Sequence, residues 1–121
     1  MKHNPGFLRL VEQAKQGIRE QTVAEVKARL DRGEPFHFVD VREDREFAED
    51  HAKGCRHLGK GILERDIETV IPDKGAPIVL YCGGGYRSVL AALALVQMGY
   101  VNVVSMEGGI RAWREAGYPL E

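Results

Sequence analysis

Cysteine is scarce in this chain: Cys55 and Cys82 are the two in 121 residues, too few for a disulfide framework. There is no CxxC pair, and the four histidines are dispersed at 3, 37, 51 and 57, so no metal-ligand spacing is present. A net charge of only −1 offers nucleic acid nothing to hold. Long apolar runs are missing too. The start, MKHNPGFLRLVEQ, meets charge after a few apolar residues and so lacks the uninterrupted core of a signal peptide or membrane helix. The expected setting is therefore cytoplasmic, with neither nucleic acid nor membrane as partner. Repeats, low-complexity tracts and dividing linkers are absent as well, which leaves one domain. What is there, 44% apolar and 29% charged residues, is the make-up of an ordinary soluble globular protein.

Along the chain, strand and helix patterns alternate. Phe7, Leu8, Val11, Ala14 and Ile18 form the stripe of an amphipathic helix that Gly17 weakens. TVAEVKARLDRG opens with a capping box, Thr22 with Glu25, carries Val23, Val26 and Leu30 on one face, and stops at Gly33. FHFVDV reads as a strand feeding a short helix in EDREFAED; CRHL reads as a brief strand, and ILERDIETVI as a helix that Pro72 ends. PIVLY is apolar on both sides of the pleat, which places it mid-sheet with both faces covered. SVLAALALVQMG is a helix stopped by Gly99, VNVVSM a strand, and GGIRAWREAG the last helix. Such alternation argues for an α/β layered fold with a mainly parallel sheet.

The chemistry concentrates in YCGGGYRS, Tyr81 to Ser88. In open α/β folds sites lie beyond the carboxyl ends of the strands, and Cys82 follows the central strand directly. The next helix begins near Arg87 or Ser88, so the sulfur faces unpaired N–H groups and the positive end of a helix dipole, both of which favour a thiolate. Arg87 adds a permanent positive charge. Gly83, Gly84 and Gly85 can adopt backbone angles that turn successive N–H groups inward as an anion nest. The bland alternative, a flexible turn with a buried apolar cysteine, fits the glycines alone but not the whole order of strand, Cys, glycines, Arg-Ser and helix. Phosphatases of the Cys-x5-Arg type have one residue more between thiolate and arginine. The four residues here, Gly83 to Tyr86, shrink the ring to suit a sulfur atom better than a phosphate.

At this point the chain resembles the rhodanese family, sulfurtransferases that carry a persulfide on an active-site cysteine. Cys82, Gly85, Arg87 and Ser88 match the family loop Cys-x-x-Gly-x-Arg-Ser. VDVRE is similar to the family's Asp-x-Arg strand end, EFAEDHAKGC to its second segment, and EGGIRAWREAGYP to its closing Gly-Gly, Trp, Gly-x-Pro signature. The likeness covers about residues 18–119, with departures at Asp50, Ala52 and Cys55. It implies a three-layer α/β fold: a mainly parallel sheet of about five strands flanked by helices, forming a domain over 18–121, with residues 1–17 as an added amphipathic helix. It also implies an enzyme that moves sulfane sulfur from thiosulfate, another small sulfur-containing anion or a persulfide donor to a thiol or cyanide, with a partner protein in a sulfur relay as a further option. Cys82 is then catalytic and Gly83, Gly84, Gly85, Tyr86, Arg87 and Ser88 form the substrate-binding loop, with no metal and no organic cofactor.

Other residues admit two readings each. Asp40 and Arg42 either pair to pin a strand end or bind the anionic donor through Arg42. Lys60 either reaches the pocket mouth or is an exposed lysine. Cys55 is read as a buried structural thiol rather than a resolving one, His51 as structural, and Trp113 as core. Tyr86 is expected to point away from the persulfide or rim the pocket. The rival functions are a non-catalytic rhodanese-like module, for carrying sulfur or binding a protein, and a cysteine-dependent phosphatase or arsenate reductase.

Overall fold

A computed structural model describes residues 2–121. Helix α1 (Pro5–Lys15) precedes strand β1 (Arg19–Thr22) and helix α2 (Val23–Asp31); β2 (His37–Asp40), α3 (Asp44–Glu49), β3 (Arg56–His57) and α4 (Lys60–Val70) follow. Then come β4 (Ile78–Tyr81), α5 (Arg87–Gln97), β5 (Val103–Glu107) and α6 (Gly109–Glu115). The strands form one sheet in the order β1-β5-β4-β2-β3, and every pairing is parallel. The sheet and its flanking helices are the α/β layering that the sequence implies.

Because side chains alternate along a strand, β4 serves both faces. Ile78, Leu80 and the following Cys82 pack with Leu63 and Ile67 of α4 and Ala91, Ala92 and Leu95 of α5. Val79 and Tyr81 pack on the other face with Val26 of α2 and Ile110 and Trp113 of α6. All four residues of β4 are buried, in keeping with its central place. Trp113 is core: its Nε1–H donates to the Pro119 carbonyl at 2.9 Å and its ring meets Phe38 and Tyr118.

The capping box at α2 forms as its residue types dictate, with Thr22 Oγ1 accepting the Glu25 N–H at 3.1 Å and Glu25 Oε1 accepting the Thr22 N–H at 2.9 Å. Strand β1, just before it, is a finding the sequence pattern did not anticipate. REQT has no apolar alternation, and its pairing rests on backbone bonds to β5 alone at the sheet edge. Helix α1 is shorter than the apolar stripe suggested: Ile18 lies beyond its end and Leu8 faces solvent, while Val11 and Ala14 bury against Val89 of α5.

Candidate active site

The carboxyl ends of β2, β4 and β5 converge on Cys82. Its Sγ accepts the Gly85 N–H at 3.2 Å and the Ser88 N–H at 3.3 Å, the second from the first turn of α5. Two backbone donors and the helix N-terminus therefore face one sulfur, an arrangement that holds negative charge there. No partner among the described residues takes the N–H groups of Gly84, Tyr86 or Arg87. Gly85 is required by its φ of +99°, and a Cβ there would come within 2.9 Å of Gly108 N.

The loop is held open toward the sulfur by the start of α6. Ile110 N–H donates to the Cys82 carbonyl at 2.9 Å and Arg111 N–H to the Gly83 carbonyl at 3.1 Å. These carbonyls are drawn outward into the helix, which leaves the opposite edge of the loop lined with N–H groups. Below it, Ser88 Oγ lies 3.5 Å from Sγ and 2.8 Å from Ser105 Oγ of β5, both serines being fully buried.

Arg87 is committed to an acid: its two terminal nitrogens donate to Glu46 of α3 at 2.7 and 3.0 Å. Those bonds push the Glu46 carboxyl down to about 2, and the same pair holds the Arg87 guanidinium charged. Asp40 and Arg42 form a buried network. Arg42 Nη2 donates to Asp40 Oδ2 at 2.8 Å and to the Asp50 carbonyl at 2.7 Å, and Tyr81 O–H donates to Asp40 Oδ2 at 2.6 Å. Burial raises the Tyr81 phenol far above its usual range, with the Asp40 carboxylate adding to it. Cys55, half-buried 3.4 Å from that hydroxyl, is pushed up to about 11 by burial, so it is a protonated thiol at neutral pH.

Two cavities meet at Arg42, Glu43, Arg45 and Arg87. One, of about 640 Å3, contains Cys82, Gly83, Gly84 and Tyr86 and is closed by His3 and Phe7 of the N-terminal segment and by Arg111 and Arg114 of α6. The other, of about 650 Å3, runs past His57 and Gly59; Lys60 lines this second cavity and not the one that holds the sulfur. Arg42 borders both, but its charge is spent on Asp40 and the Asp50 carbonyl. Tyr86 rims the Cys82 cavity. Among the described residues no cluster of His, Cys, Asp and Glu is placed to hold a metal, and no helix is long and apolar enough to cross a membrane.

Glu46, Ser105, His3, Phe7 and Arg111 stand around the loop and were not assigned to the site from the sequence. Glu46 sits 41 residues from Arg87, and Ser105 17 from Ser88, so no local spacing signals either contact. The Gly108-Gly109 pair was visible as a motif; its reason, the docking of α6 on the loop, was not.

A family model for the rhodanese-like domain matches residues 22–116. The thiosulfate sulfurtransferase GlpE of Vibrio cholerae is 32% identical over 115 residues, covering 95% of this chain and 95% of that protein. The enzyme of the same name from Pseudomonas aeruginosa is 34% identical over 101 residues, covering 84% of this chain and 89% of its own. Among solved structures, a Rhodopseudomonas palustris protein of unknown function, called a possible tyrosine phosphatase, superimposes with a TM-score of 0.89 at 31% identity over 100% of this chain and 98% of that one. The polysulfide-sulfur transferase homodimer of Wolinella succinogenes gives 0.80 at 25% identity over 96% and 87%. Motifs, sheet order and these likenesses agree, and the chain belongs to the rhodanese-like domain family.

Proposed function

We propose that this rhodanese-type sulfurtransferase carries sulfane sulfur as a persulfide on Cys82, with residues 18–121 as the sulfurtransferase domain and residues 1–17 as an addition to it. The observation that supports this most directly is the pair of backbone N–H groups, from Gly85 and Ser88, trained on Sγ. In the first half-reaction the Cys82 thiolate attacks the outer sulfur of thiosulfate or a related anion. A new S–S bond forms, the donor's S–S bond breaks, and sulfite leaves with the electron pair. In the second, cyanide or a thiolate attacks the terminal sulfur of the persulfide, takes it, and returns Cys82 as the thiolate. The loop's inward N–H groups stabilise anionic sulfur in both steps, as an oxyanion hole does for oxygen. The reading includes a cytoplasmic setting, in keeping with two free thiols and no disulfide.

A phosphatase needs its loop arginine for phosphate oxygens. Here the loop is one residue short for that task and Arg87 is bound at two points by Glu46. Mass spectrometry after thiosulfate treatment tests the proposal: a gain of about 32 Da on Cys82, lost in Cys82→Ser, is expected. Sulfur transfer that survives in folded Cys82→Ser, or hydrolysis of an aryl phosphate without any sulfur adduct, overturns it.

A further inference from the structure

Two fully buried hydroxyls adjoin the sulfur, and the backbone cradle makes no use of them. Ser88 Oγ, in the first turn of α5, is 3.5 Å from Cys82 Sγ and 2.8 Å from Ser105 Oγ of β5. Ser105 interrupts an otherwise apolar run: Val103, Val104 and Met106 are buried around it, and it stands opposite Leu80 of β4. An alanine would fill that place without burying a polar atom, and a buried hydroxyl is costly unless it is bonded. The bond that Ser105 makes is to Ser88, whose oxygen also reaches the sulfur.

A serine hydroxyl carries one proton and donates to one acceptor at a time. With Cys82 protonated, its S–H donates to Ser88 Oγ, and the Ser88 proton goes to Ser105 Oγ. When the S–H proton passes to a base in solvent, the sulfur becomes an anionic acceptor, and a bond to an ionised acceptor is roughly twice as strong as a neutral one. Ser88 then turns to donate to Sγ, and Ser105 donates to Ser88 Oγ. Once a second sulfur is attached, the charge sits on that terminal atom; Sγ has no proton to give and is a weak acceptor. Ser88 then needs Ser105 again.

We infer that Ser88 and Ser105 form a two-position hydrogen-bond switch that follows the charge on Cys82. Ser88 touches the reacting sulfur, and Ser105 is a positioning residue that acts through it by accepting the Ser88 proton whenever Sγ is not a thiolate. For the sulfur-loaded state the inference rests on the persulfide reading above. Its signature is a pair of opposite effects. Without Ser105, the thiol and the loaded state each leave a buried donor unmatched, so the bare thiolate gains. Without Ser88, the thiolate loses a donor.

Alkylation of Cys82 by iodoacetamide across pH, followed by mass spectrometry of the Cys82 peptide, tests this. Well below the midpoint of the unaltered protein's profile, Ser105→Ala should react about fivefold faster and Ser88→Ala about fivefold slower, the scale of one buried hydroxyl bond. The three rates should converge at high pH, where the thiol is ionised in every form. Ser105→Thr, which keeps the hydroxyl, should follow the unaltered protein. At a fixed ratio of thiosulfate to sulfite, the ratio of loaded to unloaded Cys82 should fall about fivefold in Ser105→Ala. A Ser105→Ala rate equal to or below that of the unaltered protein overturns the switch, as do rates lowered at every pH in both alanine variants, the mark of serines that only pack. Alkylation needs no sulfur donor, so the two readings fail separately. If thiosulfate puts no sulfur on Cys82 of the unaltered protein, the persulfide reading falls and with it the loaded position of the switch, whereas an unmoved alkylation profile removes the switch and leaves the persulfide reading standing.

Discussion

Gly109 presses on the backbone of Cys82: a Cβ at Gly109 would stand 2.4 Å from the Cys82 carbonyl oxygen and 2.7 Å from that of Gly83. Contact this close lets the N-terminal N–H groups of α6 draw both carbonyls outward, and a peptide whose carbonyl points out presents its N–H inward. Residue 109 also has a φ of +55°, a region costly for a side chain. Gly109→Ala should therefore cost about 2 kcal/mol or more in urea unfolding, and kcat for sulfur transfer should fall further than stability alone explains. A variant with unaltered stability and kcat would show that the loop does not depend on this contact.

Asp40 ties three groups together: the Arg42 guanidinium, the Arg42 N–H at 2.9 Å and the Tyr81 hydroxyl. Asp40 and Arg42 are almost wholly buried. Removing the carboxylate leaves an uncompensated buried cation, which is the expensive way to break such a pair. Asp40→Ala is expected to lose about 3–5 kcal/mol of stability by denaturant titration, and a loss below about 1 kcal/mol would contradict the buried-pair account.

The Glu46–Arg87 pair gives a pH dependence of definite sign. The folded Glu46 carboxyl, at about 2, lies below its ordinary value of 4.5. Its stabilisation is thus complete above about 4.5 and is lost as pH falls towards about 2. The Tm difference between the unaltered protein and Glu46→Gln should be level from about pH 7 to pH 5, then shrink and vanish near the lower value. A difference that persists undiminished there would mean that Glu46 acts through packing rather than charge.

Much of this was legible in the residues themselves. The capping box at Thr22 and Glu25 needs only neighbours in the chain, and the Cys82–Ser88 loop carries its own strand, turn and helix signals. Strand β1 was not legible, because an edge strand of Arg, Glu, Gln and Thr has no apolar face to betray it and owes its form to a ladder with β5, over eighty residues on. The apolar stripe marked a helix side for Phe7, Val11 and Ala14 but not for Leu8 or Ile18, and periodicity does not say which end of a stripe overhangs a cavity. Lys60 admitted two readings, at the pocket mouth or as an exposed lysine; its N–H is bonded to the Val41 carbonyl at 2.9 Å and the residue lines the neighbouring cavity rather than the one that holds the sulfur.

The opposed facing of Tyr81 and Cys82 makes strand register a condition of the chemistry. A slip of one residue in β4 would aim the phenol at the start of α5 and the thiol at the Asp40 carboxylate, where a thiolate would be repelled rather than held. The buried Asp40–Tyr81 bond on one face thereby acts as the lock that keeps Cys82, the proposed nucleophile, on the other.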